Sequence, residues 1–150
     1  MLRALTEVRR IVEPAAAELA AARADVRDLA ALGQALEEMA QSAEARDNGD
    51  FEPFVQADMR FHLAILHACR NELLEQMSRV VYSALLVSFR ATSRLPGRAR
   101  ASLPKHRAIF DAIRARNPRG AAAAMRRLVQ ATARAIEAMS RHPRARRQRS

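Results

Sequence analysis

The segment QADMRFHLAILHACRN, residues 56 to 71, sets Asp58 and His62 four residues apart among Val55, Met59, Leu66 and Cys69, which are apolar at helical spacing. On a helix this separation puts both side chains on one face, about one turn or 6 Å from each other. A carboxylate oxygen and a neutral imidazole nitrogen so placed can converge on one ion in front of the helix. The same two groups can also hydrogen-bond to each other with no ion present. A third polar residue interrupts an apolar stripe in SLPKHRAIFDAI, where His106 falls in line with Leu103, Phe110 and Ile113. Buried polar groups must be paired, and three isolated ones satisfy each other most economically at one point. Asp58, His62 and His106 are therefore read as one interior site, holding either a divalent ion or a hydrogen-bonded polar cluster. His67 is turned about 140° away from His62 around the helix, and His142 stands in a basic tail. Both are expected to face solvent.

Elements that position these residues follow from composition and punctuation. The chain has 150 residues, 49% of them hydrophobic, with four Gly and no Trp. Such a composition favours helices, and the length suits one domain with a real core. Six helical segments can be read from apolar periodicity. The first, residues 2 to 22, carries Leu5, Val8, Val12, Ala15 and Leu19 on one stripe, with a kink expected at Pro14. The second, 25 to 45, buries Leu29, Leu32, Leu36 and Met39, and RDNGD ends it with Asn48 and Gly49 as turn residues. The third, 51 to 69, holds Asp58 and His62. Asn71 caps a fourth, whose stripe is Leu73, Met77, Val80, Ala84 and Val87, before RLPGRARA interrupts it. Ser102 is read as the N-cap of a fifth, with Pro104 in its first turn. Asn117 and Pro118 open the sixth, which buries Met125, Leu128, Val129, Ile136 and Met139, with Thr132 on the same stripe bonding back to a carbonyl. The fold expected is an all-α antiparallel bundle of six to seven helices.

Charge and cysteine content narrow the function classes. The net charge is +10, but residues 1 to 70 hold 8 basic and 12 acidic groups, whereas residues 71 to 150 hold 18 and 4. Five arginines fall in the last ten residues, so 1–140 is read as the domain and 141–150 as a basic, solvated tail. No aromatic or Gly-rich nucleic-acid module accompanies the charge. With Cys69 as the only cysteine no internal disulfide can form, and no apolar run approaches membrane length. The chain is expected to be cytoplasmic.

The succession EVRRIVEPAAAELAAARA, ADMRFHLAILHACRN and SLPKHRAIFDAIRARNPRGAAAAMRRLV, spanning residues 4 to 139, resembles the FadR-type C-terminal effector domain (FCD) of GntR-superfamily transcription regulators. The resemblance implies a helical bundle that forms a homodimer and encloses a small metabolite, commonly a carboxylate. It also implies a divalent ion, reported as zinc, nickel or manganese, held by an Asp and a His of one helix and two later His. On this sequence those positions are Asp58, His62 and His106, while Leu128 in AAMRRLVQ stands where the last imidazole would be. Three protein ligands leave open positions for water or an effector carboxylate, with lowered affinity. A metal-free branch that binds fatty acyl-CoA is the alternative. Arg9 matches an arginine that meets the effector's carboxylate in similar domains; its other reading is an ion pair with Glu13, four residues on. Such regulators contact DNA through an N-terminal winged helix, which this sequence, opening almost on the effector domain, is read as lacking.

Two rival classes remain. Three ligands and an open position also describe catalytic zinc, but no HExxH motif is present and only Glu13 offers itself as a base, so a hydrolase or lyase is the weaker reading. A plain interaction module docking its basic second half on DNA or an acidic protein would be indifferent to His62 and His106.

Overall fold

A computed structural model describes residues 2–44, 50–92 and 95–141, and among them it contains seven α-helices and no strand. They are α1 (Leu2–Arg23), α2 (Val26–Glu44), α3 (Glu52–Ala68), α4 (Glu72–Gln76), α5 (Ser78–Thr92), α6 (Arg98–Arg114) and α7 (Pro118–Arg141). The expected turn residues Asn48 and Gly49, His142 and nearly all of the basic tail lie outside the described residues. None of the described helices is long and apolar enough to cross a membrane.

Small side chains set the packing. Ala16, Ala17, Ala20 and Ala21 of α1 are completely buried, as is Ala121 of α7, so the backbones approach closely. α1 packs chiefly on α7, α2 on α3, and α6 on α7, while α1 also touches α3, α5 and α6. This arrangement encloses α3 between α2, α1 and α5, with α6 reaching it through His106. α1 runs on through Pro14, and its inward face is turned from the expected stripe. Ala15 is exposed, while Arg9 and Glu13 are buried.

Two further expectations need correction. The fourth segment is two helices, α4 and α5, separated at Met77, and α4 buries no residue. Its expected stripe faces outward apart from Ala84, because α5 turns Val81, Ala84, Leu85, Ser88, Phe89 and Thr92 to the core. The cap at Asn71 is present, its side chain accepting from the amides of Leu73 and Leu74 at 3.1 Å. Likewise the fifth segment does not start at Ser102. Gly97, at φ 71°, precedes a helix that begins one turn earlier at Arg98, and the Ser102 hydroxyl bonds to the Ala99 carbonyl at 2.9 Å. At the sixth, Asn117 caps as expected by accepting from the Gly120 amide at 2.9 Å. Met139 at its far end is 40% exposed rather than buried.

Gly97 is the one described glycine in the left-handed region. A methyl group there meets nothing within 4 Å, so Gly97→Ala tests backbone strain alone. It should destabilise the domain by about 1–2 kcal/mol and lower the melting temperature by a few degrees, read by thermal circular dichroism.

Candidate metal and effector site

The sequence separates Asp58 and His106 by 48 positions, and the bundle brings them into contact. Asp58 and His62 lie on α3 at 5% and 2% exposure, and His106 on α6 at 2%. Asp58 Oδ1 is 2.8 Å from His106 Nε2 and 3.3 Å from His62 Nε2. One ligand atom from each of the three lies within 4.8 Å of the others, the one such buried group of three among the described residues. Atoms that share an ion at about 2.0–2.2 Å stand roughly 3.0–3.5 Å apart, so little rearrangement separates this cluster from a coordination sphere.

Hydrogen-bond chemistry gives the fit test. His106 Nδ1 lies 2.9 Å from the Ser102 carbonyl, which can only accept, so Nδ1 carries a proton and Nε2 is the atom presented to Asp58. A lone pair on Nε2 facing a carboxylate oxygen needs a positive centre between them, either a proton or a metal ion. His62 is placed between two carboxylates, with Nδ1 2.8 Å from Glu13 Oε2 and Nε2 near Asp58. Both contacts are close, yet neither lies in line with a ring N–H, and the two nitrogens are left without a directed hydrogen bond although buried. Unaligned, buried imidazole nitrogens beside a carboxylate are what a site suited to a cation presents.

Charge explains the ionisation of these groups. Burial disfavours the charged forms throughout. For Glu13 the Arg9 guanidinium and His62 outweigh it and hold the carboxyl down at about 2. His106 and His62 likewise keep Asp58 well below the usual carboxylate range. For His62 burial is again outweighed, here by Glu13 and Asp58, and its value is pushed up to about 9. Arg9 is buried at 1% exposure, its Nε donating to Glu13 at 2.7 Å, and its guanidinium lies 5.1 Å over the Phe89 ring.

A cavity of about 20 Å³ opens on this cluster, lined among others by Arg9, Phe89, Thr92, Arg98, Leu128 and Thr132. That holds about one water or one small ion. Organic acids need far more room, so Arg9, Phe89 or Arg98 must shift to admit one. Arg98 donates to the Thr132 hydroxyl at 2.8 Å, and Thr132 in turn donates to the Leu128 carbonyl at 3.2 Å. Burial lowers the Arg98 value, with Asp58 opposing the shift. Leu128, where the resemblance places a fourth ligand, is indeed in the wall but brings only methyl groups. His67, by contrast, is exposed and meets Glu75 at 2.9 Å.

Three participants were not singled out from the sequence. Glu13 was considered only as a partner of Arg9 or a base, not as the group that holds His62. Phe89 was missed because its stripe on α5 was not recognised. Arg98 was missed because α6 was started at Ser102, yet residues 98, 102 and 106 repeat every four positions and continue the His106 stripe upstream.

The site is thus set in an all-helical bundle that closes around two carboxylates, two imidazoles and two guanidiniums. The FCD domain model matches residues 4–131, and the chain belongs to that family, found in GntR-superfamily transcription regulators. It is 39% identical over 119 residues to the galactonate operon transcriptional repressor of Escherichia coli K12, covering 76% of this chain and 48% of that one. With the HTH-type transcriptional regulator LutR of Bacillus subtilis it shares 36% over 126 residues, covering 81% and 55%. The chain thus spans about half the length of these relatives. Among solved structures, Streptococcus agalactiae GntR superposes with a TM-score of 0.75 at 25% identity, covering 89% of this chain and 58% of that one. E. coli McbR/YncC gives 0.76 at 22% identity, covering 93% and 65%, a likeness of fold.

Proposed function

We propose that this domain senses a small organic acid at a divalent-metal site held by Asp58, His62 and His106, as the non-catalytic effector and dimerisation part of a cytoplasmic GntR-superfamily regulator. The observation that carries this reading is the convergence of three buried ligand atoms beside two guanidiniums. A bound divalent ion, zinc first among the candidates, would supply a positive centre with positions open to a carboxylate. Around it the chain's own residues do the remaining work. The Ser102 carbonyl fixes the His106 tautomer, and Glu13 stands behind His62. Arg9 and Arg98 balance the charges of Glu13 and Asp58, so an ion adds uncompensated positive charge that an anion neutralises. Arg9 is committed to Glu13, which leaves Arg98 the freer guanidinium for an incoming carboxylate. The relative named for a galactonate operon concerns a sugar acid, consistent with an anionic effector. DNA contact would come through a winged helix elsewhere in the full regulator.

Titration calorimetry of small organic acids into zinc-loaded and metal-free protein tests the reading. At least one hydroxy acid should bind the loaded form only, and Arg98→Gln should weaken it about tenfold. Equal binding to both forms would turn the reading to the metal-free alternative. The position of Leu128 offers a second check. Leu128→His adds an imidazole to the wall and should tighten zinc about tenfold or more, read by competition with a chelating indicator. Unchanged affinity would place the ion elsewhere.

A further inference from the structure

α1 and α7 pack side by side, and their outer edges leave a groove of about 520 Å³ well away from the buried cluster. The two helices run in opposite directions. Leu2 and Arg3 line the groove together with Ser140 and Arg141, whereas Arg116, just before α7, donates to the carbonyl of Ala21 near the end of α1 at 3.4 Å. Arg10 and Glu137 continue the groove into a second recess of about 400 Å³, shared with Gln130 and Arg134.

Charge alternates along both walls. On α1 the order is Arg3, Glu7, Arg10, and on α7 it is Arg134, Glu137, Arg141, all six exposed. The outer members of each trio are seven residues apart, two helical turns or about 10.5 Å. Because the helices are antiparallel, Arg10 stands at the level of Arg134, Glu7 at that of Glu137, and Arg3 at that of Arg141. Like charges therefore line opposite walls at each level. The one ion pair among the six stays within α1, Arg3 with Glu7 at 3.7 Å, and among the described residues none crosses from α1 to α7. Walls of this kind are satisfied by a third element that carries the opposite order of acid, base, acid. Beneath them Leu2, Ala133 and Ile136 supply an apolar floor.

We infer that this groove docks a helix of another protein, one bearing carboxylates seven residues apart, a lysine or arginine midway, and apolar side chains between them. A helix repeats the 10.5 Å step of the walls at i and i+7 and can turn an apolar stripe to the floor at the same time. The central glutamates decide against other occupants. A phosphate backbone or an anionic membrane presents negative charge alone, so the arginine pairs attract it while Glu7 and Glu137 repel it. The same face of a second copy, in the same register, repeats base, acid, base and is repelled throughout. None of Asp58, His62 and His106 lines the groove, so the docking does not depend on whether the pocket holds an ion.

Fluorescence anisotropy tests this with the whole chain and a labelled peptide of about 14 residues, side-chain-linked to hold it helical. The peptide carries Glu, Lys and Glu at i, i+4 and i+7, with alanine and leucine between. It should bind with a Kd of about 10–100 μM. A peptide with the charges inverted to Lys, Glu, Lys should bind at least about tenfold more weakly. Changing Glu7→Lys together with Glu137→Lys makes the groove uniformly basic, which should weaken the first peptide about tenfold and tighten a short DNA duplex about as much. Both positions are exposed, and circular dichroism should be unchanged. No binding of the first peptide at about 1 mM, equal binding of the inverted one, or a native chain that prefers the duplex to the first peptide overturns the proposal. A double variant that treats peptide and duplex as the native chain does overturns it as well. The comparison of the two peptides uses the native chain alone and stands even if the variant fails to fold.

Discussion

Replacing Asp58 by Ala should abolish stoichiometric metal binding and also destabilise the metal-free domain. The carboxylate is the group on which both imidazoles converge, at 2.8 Å for His106 and 3.3 Å for His62. Removing it takes away one of three protein ligands and the only anionic one, so affinity should fall at least about a hundredfold. In the metal-free protein the same change leaves His62 with Glu13 as its only carboxylate and strips Arg98 of its nearby counter-charge. Breaking a buried ion pair in this way costs about 3–5 kcal/mol. Asp58→Asn separates the two effects. It keeps the volume and an acceptor but not the charge, so it should lose the metal equally while losing less stability. The measurement is elemental analysis of protein purified without chelator or immobilised-metal resin, paired with chemical denaturation after chelation. A full ion per chain in Asp58→Ala would show that any metal sits elsewhere.

Dependence on pH should take opposite forms in the metal-free and metal-bound protein. His62 is raised from 6.5 to about 9, so its contribution to folding is complete below 6.5 and is lost as pH rises through 9. Glu13 is lowered from 4.5 to about 2, so its contribution is present above 4.5 and is lost as pH falls through 2. The chelated domain should therefore be most stable between about pH 4.5 and 6.5 and should weaken on the alkaline side, where most proteins with buried carboxylates hold steady. Metal ligation requires a neutral imidazole, so binding expels the His62 proton. Affinity should rise by about tenfold per pH unit up to about 9, with close to one proton released per ion. Calorimetry in two buffers of different ionisation enthalpy counts that proton. Binding that is independent of pH from 6 to 8 would show that His62 is already neutral in the free domain.

Legibility from the sequence differed between these elements for definite reasons. The helix-forming composition, the four-residue step from Asp58 to His62 and the Asn caps at 71 and 117 depend on neighbours in the chain, and local geometry follows from them directly. The inward placement of His106 was also readable, because a polar residue on an otherwise apolar stripe has few ways to be satisfied. Two errors share one origin. Along α4 and α5 the sequence offers two apolar stripes, and the more regular one, through Leu73, Val80 and Val87, faces out; periodicity ranks stripes by regularity but does not say which neighbour covers them. In α6 a left-handed Gly97 starts the helix a turn early, so Arg98 joins the pocket.

The sequence by itself determined that this chain is a helical bundle whose third helix carries an acid and an imidazole on one face. Only the tertiary structure decided that His106 and Glu13 close on that pair, that Arg98 stands at the pocket's edge, and that the space beside them admits a single ion or water. Distances between residues dozens of positions apart are set by how helices pack, through alanine faces and crossing directions that no local spacing encodes.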